Sequence, residues 1–365
     1  MGRTHLVRPG LLTPLFLAIE VLGTDHPGPG EDEIGKRGAM TTKRHVSKTI
    51  RLAALLFIVL IVYAGHQSPP AVQDSAANSF RISVDVPLVV LHATVTDRQG
   101  SLVSNLGEQD FQVYENGAPQ RIQVFKNEDI PVAVGLVIDH STSMGPKLVE
   151  VTASARAFVR SSNREDEIFV VNFNEIASLG LPPSVRFTDS TAELQKAIAD
   201  ESARGQTALY DAIAMGLEQL QAATRDKKVL IVVSDGGDNA SRRKLDEVMK
   251  LVERSSAVIY TIGVFDQNDE DRNPGVLNRL ARATGGEAFL PGKLEEVVAN
   301  CERIARDIRH QYIIGYAPSN PAADGSYRAI RVLARTKGQG KLSVRTRTGY
   351  IAGGIPELGG AQGVK

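Results

Sequence analysis

The sequence is poor in several residue types that would each point to a function. Its 365 residues include one cysteine, Cys301, and no tryptophan, and only 5% are aromatic. A lone cysteine forms no internal disulfide, so stability has to come from core packing even outside the cell. The shortage of aromatics leaves no stacking platform for nucleobases or sugars. Neither sign of charge is in surplus, since Lys+Arg and Asp+Glu both number 42. This removes the electrostatic case for a nucleic-acid or anionic-membrane partner. The seven histidines do not pair with acidic residues at short helical spacing, so a zinc hydrolase is not supported. A G-x-S-x-G nucleophile elbow is missing as well, which argues against a serine hydrolase.

A long hydrophobic run is also lacking. The main apolar stretch, Leu52 to Tyr63, falls short of the roughly 20 residues that span a bilayer. It follows Lys43, Arg44, Lys48 and Arg51 and ends in Ala64 and Gly65, with Val62 and Ala64 at cleavage-site spacing. Basic start, short apolar centre and small-residue end make 40–65 a signal peptide, and any membrane contact would come only through that segment if it stays uncleaved. Residues 1–39, with a Gly/Pro/acidic patch from His26 to Glu33, read as an upstream extension, with Met40 as the start. Residues 66–79 read as a polar linker.

What the chain does contain is patterned. Over 80–128 apolar residues alternate, as in Ile82, Val84 and Val86 and again in Val89, Leu91, Ala93 and Val95, which predicts half-buried strands. A turn at Asp97–Gly100 and the hairpin signal Glu115-Asn116-Gly117 complete an N-terminal β unit. From Pro131 the rhythm becomes strand, helix, strand. Val132 to Ile138 is a continuous apolar run, as in a strand covered on both faces, and Leu148, Val151, Ala155, Phe158 and Val159 form a helical stripe. Further strands are expected at Ile168–Phe173, Val229–Val233 and Val258–Val264. Further helices are expected around Leu209–Leu220, Lys244–Glu253, Val276–Ala283 and Lys293–Arg309. The fold class is therefore α/β, a doubly wound, mostly parallel sheet flanked by helices over 131–310. Residues 311–350 return to strands, which can pair with the N-terminal unit into one accessory antiparallel β domain. Residues 351–365 read as a flexible tail.

The chemistry gathers at strand ends, where sheets of this type bind ligands. Asp139-His140-Ser141-Thr142-Ser143 follows the first core strand directly, placing a carboxylate and two hydroxyls in one short loop. Thr207, in Gly205-Gln206-Thr207, precedes the second amphipathic helix, and Ser234-Asp235-Gly236 ends the next strand. Helix capping would account for Asp139 or either serine alone, but not for Thr207 and Asp235 as well. Asp238 reads as a turn residue, Asp211 as a helix-start residue outside the ligand set, His140 as exposed beside the site, and Cys301 as a buried small hydrophobe.

Over Pro131 to His310 these motifs resemble the von Willebrand factor A family, whose metal ion-dependent adhesion site combines D-x-S-x-S with a later Thr and Asp. The resemblance implies a divalent cation, Mg²⁺ with Mn²⁺ or Ca²⁺ as alternatives, held by Asp139, Ser141, Ser143, Thr207 and Asp235. It implies a protein partner that supplies an Asp or Glu carboxylate, with no catalytic residues and no small-molecule substrate. The flanks, with Val95-Thr96-Asp97, Asp110-Phe111, Tyr312-Ile313-Ile314-Gly315-Tyr316 and Gly349-Tyr350, resemble bacterial exported proteins described as VWFA-related, which implies a periplasmic, envelope or extracellular location. Two rivals stay open. A scaffold subunit of an ATPase-linked assembly would require cytoplasmic residence. A Mg-dependent, dehalogenase-like phosphatase would require D-x-D, where this chain has Ser141.

Overall fold

In the computed structural model, residues 88–199, 202–265, 272–338 and 340–353 are described. The signal segment, the linker, Ile82, Val84, Val86 and the tail from 354 lie outside them. The described residues fall within one unit, Ile82–Lys365.

Its centre is a six-stranded sheet. Strands β5 (Val132–Asp139), β6 (Glu167–Phe173), β7 (Ala177–Leu179), β8 (Lys227–Ser234), β9 (Val258–Gly263) and β10 (Ala288–Phe289) lie in the order β10-β9-β8-β5-β6-β7. All pair in parallel except β7, which returns antiparallel to β6 at the edge. Every residue of β5 is buried, as its unbroken apolar run requires of a strand covered on both faces. The covering helices are α1 (Leu148–Arg160), α2 (Thr191–Ala199), α3 (Leu209–Gln221), α4 (Leu245–Arg254), α5 (Pro274–Thr284) and α6 (Glu296–Arg309). Each turns one apolar stripe to the sheet, for example Leu209, Ala212, Ile213, Leu217 and Leu220 of α3. Cys301 lies on the buried stripe of α6, and burial pushes its thiol up to about 12. It is a packing residue. Sequence periodicity misses α2, whose apolar stripe is only Leu194, Ala197 and Ile198.

The flanking segments interleave rather than fold separately. Strand β1 (Val89–Thr96) lies between β11 (Tyr312–Tyr316) and β13 (Ser343–Arg345), with β4 (Ile122–Lys126) beyond β11. A second sheet orders β14 (Gly349–Ile351), β12 (Tyr327–Ala334), β2 (Phe111–Glu115) and β3 (Ala118–Gln120). All these pairings are antiparallel. The two sheets enclose one core that includes Leu91, Phe111, Val113, Tyr312, Tyr316, Ile330 and Val332. At the β2–β3 turn Asn116 and Gly117 both take positive φ, 48° and 83°, the conformation an Asn-Gly two-residue hairpin needs. The expected tail boundary moves, because Ile351 closes β14 and Ala352 is buried, its N donating to Ser326 O at 2.9 Å.

Among the described residues no helix is long and apolar enough to cross a membrane.

Candidate metal centre

Because β5, β6 and β8 are parallel neighbours, the residues that end them share one edge of the sheet. Asp139 closes β5, Ser234 closes β8, and Asp235 follows it directly. Asp139 and Asp235 are fully or almost fully buried, as is Ser141; Ser143 is half-buried. Ser141 N donates to Asp139 Oδ1 at 2.8 Å, and Ser234 Oγ donates to Asp139 Oδ2 at 2.6 Å. Ser143 Oγ donates to Asp235 Oδ2 at 2.6 Å, while Gly237 N holds Asp235 Oδ1 at 3.0 Å. Ser141 Oγ and Ser143 Oγ are 3.1 Å apart. Asp139, Ser141, Ser143 and Asp235 thus form one hydrogen-bonded cluster drawn from two loops 92 residues apart.

The loop that carries Thr207 meets the Asp139 loop through residues other than Thr207 itself. Thr142 N and Oγ1 donate to Gly205 O at 3.2 and 3.0 Å, and Arg204 N donates to His140 O at 2.9 Å. On its other side Thr207 N donates to Asn239 Oδ1 at 2.9 Å, and Asn239 N and Ala240 N both return to Thr207 O at 3.0 Å. The Thr207 loop is therefore sewn between the other two, and Thr207 is 7% exposed. A glycine makes the third loop possible: Gly236 has φ +82°, and a Cβ there would overlap the Asn273 carbonyl.

Capping does not account for the serines. Ser141 occupies the N-cap position of the 3₁₀ turn Thr142–Lys147, yet its side chain makes no capping hydrogen bond. Its oxygen faces Ser143 instead. Asp211 is occupied elsewhere, accepting from Arg242 N at 2.9 Å and pairing with Arg243 at 3.1 Å. Asp238 accepts from Tyr210 N at 2.9 Å and Ser241 Oγ at 2.6 Å, which anchors the first turn of α3. The expectation of an exposed His140 is wrong. It is 1% exposed, with Nε2 3.2 Å from Asn172 Oδ1, because the strand it follows is covered on both faces. Ser234, Asn239 and Asn174 support the site and were not singled out from sequence. Only the Ser-Asp-Gly run offered a signal, for Ser234.

Electrostatically the cluster is incomplete. Burial pushes the Asp139 carboxyl up to about 6; hydrogen bonds from Ser141 and Ser234 oppose the shift, and the Asp235 charge adds to it. Among the described residues the ion pairs lie elsewhere, so neither carboxylate has a basic partner. Nor do three His, Cys, Asp or Glu side chains gather to hold a metal on their own; the set here is two carboxylates plus hydroxyls. Such a set suits a small hard cation. The serine protons are already directed onto carboxylates, by Ser143 onto Asp235 and by Ser234 onto Asp139. For Ser143 this leaves oxygen lone pairs available to an ion.

Comparison with known proteins agrees with this architecture. The family model described as von Willebrand factor type A domain matches residues 134–298. Among solved structures, one that the chain is similar to is a von Willebrand factor type A protein from Catenulispora acidiphila (14% identity, 73% of this chain and 75% of that one, TM-score 0.45). Another is the conserved hypothetical protein BatB from Bacteroides thetaiotaomicron (16%, 48% and 98%, TM-score 0.39). A third is the vWF domain of the type V pili tip protein Mfa5 from Porphyromonas gingivalis (16%, 49% and 95%, TM-score 0.40). No curated protein matches the sequence. From the sheet order, the motifs at its strand ends and the family match together, residues 134–298 of this chain form a von Willebrand factor type A domain.

Proposed function

We propose that the chain is a metal-dependent protein-binding module of an exported bacterial protein. Asp139, Ser141, Ser143, Thr207 and Asp235 would hold one divalent cation, Mg²⁺ by the hardness of the ligands. Bound there, the ion would supply a positive charge with an open position for an Asp or Glu carboxylate from a partner protein. The observation that carries this reading is the buried Asp139–Asp235 pair, linked through Ser141 and Ser143 and without a basic partner among the described residues. Two carboxylates withdrawn from water and left without a counter-charge are costly, and a cation bound between them removes that cost.

Binding rather than catalysis fits the second position of the motif. Ser141 stands where a phosphatase would need its acid, and its hydroxyl is engaged with Ser143. Export is supported by the signal-type pattern of 40–65.

The test is a pull-down from cell-envelope extract, run with Mg²⁺ and with EDTA, comparing wild type with Asp139→Ala and Thr207→Ala. The expected result is a protein retained by wild type in Mg²⁺, released by EDTA and lost from both variants. A partner recovered equally in every lane would remove the site from recognition.

A further inference from the structure

The hairpin between β6 and β7 ends in Asn174-Glu175-Ile176, and this tip is fastened to the loop that carries Thr207. Ala208 N donates to Asn174 O at 2.7 Å, and Ile176 N donates to Asn174 Oδ1 at 3.1 Å. The resulting turn lays the exposed Glu175 side chain over the loop, where Gln206 N donates to its Oε2 at 3.2 Å. Gly205, at φ +72°, leaves the room, since a Cβ on it would overlap the Glu175 carboxylate. A third carboxylate therefore sits one residue along from Thr207, beside the Gly205 whose carbonyl is bonded to Thr142, the residue between Ser141 and Ser143.

We propose that Glu175 is a tethered stand-in for the partner's carboxylate. With no partner bound it turns from Gln206 N onto the cation at its open position, and an arriving Asp or Glu displaces it. This rests on the cation reading above. Exposed side chains change rotamer in nanoseconds or less, so the exchange needs no refolding of the loop. The consequence is selectivity. A tethered group acts at an effective concentration on the order of millimolar, enough to shut out stray small carboxylates. A partner that brings further contacts still wins.

The experiment titrates Mg²⁺ alone, by calorimetry, into the intact chain and into Glu175→Gln, with Asp139→Ala as the metal-site control. A second arm loads Mn²⁺ and measures water-proton relaxivity, which counts water molecules on the ion. Losing one charged ligand is expected to weaken Mg²⁺ binding by about tenfold, because affinity follows the number of charged ligands. Relaxivity should rise in Glu175→Gln as water takes the vacated position, with the melting temperature in EDTA unchanged. Unchanged Mg²⁺ affinity overturns the proposal. So does weakened affinity at constant relaxivity, because Glu175 then acts through space and not as a ligand. If wild type binds neither ion, the cation reading itself fails and takes this inference with it.

Discussion

The two ends of the central sheet both bury charged groups, and they treat them in opposite ways. At the end that meets the two flanking sheets, the acids are paired with arginines, each arginine shared between two of them. Arg345 pairs with Glu287 at 2.6 Å and with Asp307, whose Oδ2 also accepts from Tyr260 Oη at 2.7 Å. Arg309 joins Asp166 and, at 3.1 Å, Asp129. Arg347, buried, donates to the carbonyls of Glu253, Ser255 and Gly349, and Lys227 Nζ reaches the Ile308 carbonyl. At the opposite end, among the described residues, Asp139 and Asp235 meet hydroxyls and backbone N–H groups. One end carries bases for its acids and holds two parts of the fold together. Among the described residues the other pairs its two acids with no base, as the proposed cation site would require.

Removing a charge should therefore have opposite signs at the two ends. The largest effect is expected for Arg345→Met, which strands the buried Asp307. Breaking a buried pair from one side costs about 3 kcal/mol, and urea denaturation should show that loss equally with Mg²⁺ and with EDTA. The same end should carry a pH dependence. Burial, opposed by the nearby Asp307 charge, lowers the Lys227 amine to about 7 from the ordinary lysine value of 10.5. The unfolded chain then binds more protons across that interval, so this group makes stability rise with pH from about 7 to about 10.5, and lose that gain as pH falls back through the folded value. Lys227→Met should flatten the slope in denaturation curves measured across the range.

At the other end, Asp139→Asn removes one of two adjacent buried carboxylates at nearly constant volume. Metal-free stability should rise by about 1 kcal/mol, while any stabilisation by Mg²⁺ disappears. A loss of stability in EDTA comparable to that of Arg345→Met would erase the distinction between the ends. The smallest effect is expected for Asp211→Asn. This partly exposed acid pairs with Arg243, a contact worth about 0.5 kcal/mol, and calorimetry should give it the Mg²⁺ affinity of wild type.

The incomplete end was easier to read from the sequence than the complete one, and the reason is locality. Asp139, Ser141 and Ser143 fall within five consecutive positions, Asp235 directly follows a strand, and apolar runs such as Val132–Ile138 announce the strands that carry them. Pairings across the sandwich have no such local signal. Thr94 faces Arg345 and Val89 faces Tyr316, and nothing near any of these residues encodes its partner. The Arg345–Asp307 and Arg309–Asp166 pairs were invisible for the same reason. Single side-chain orientations were also beyond local pattern, as with His140, which turns inward to Asn172. Glu175 is a further case, since it acquires meaning only through the overlap of two loops.

The claim that one end of the sheet lacks a positive charge is tested most directly by thermal melting of the intact chain as Mg²⁺ is added, beside Asp139→Asn. The expected result is a midpoint that climbs with Mg²⁺ concentration for wild type, as mass action requires of a ligand bound by the folded state alone, and stays level for the variant. A wild-type midpoint that does not move at millimolar Mg²⁺, Mn²⁺ or Ca²⁺ would contradict it.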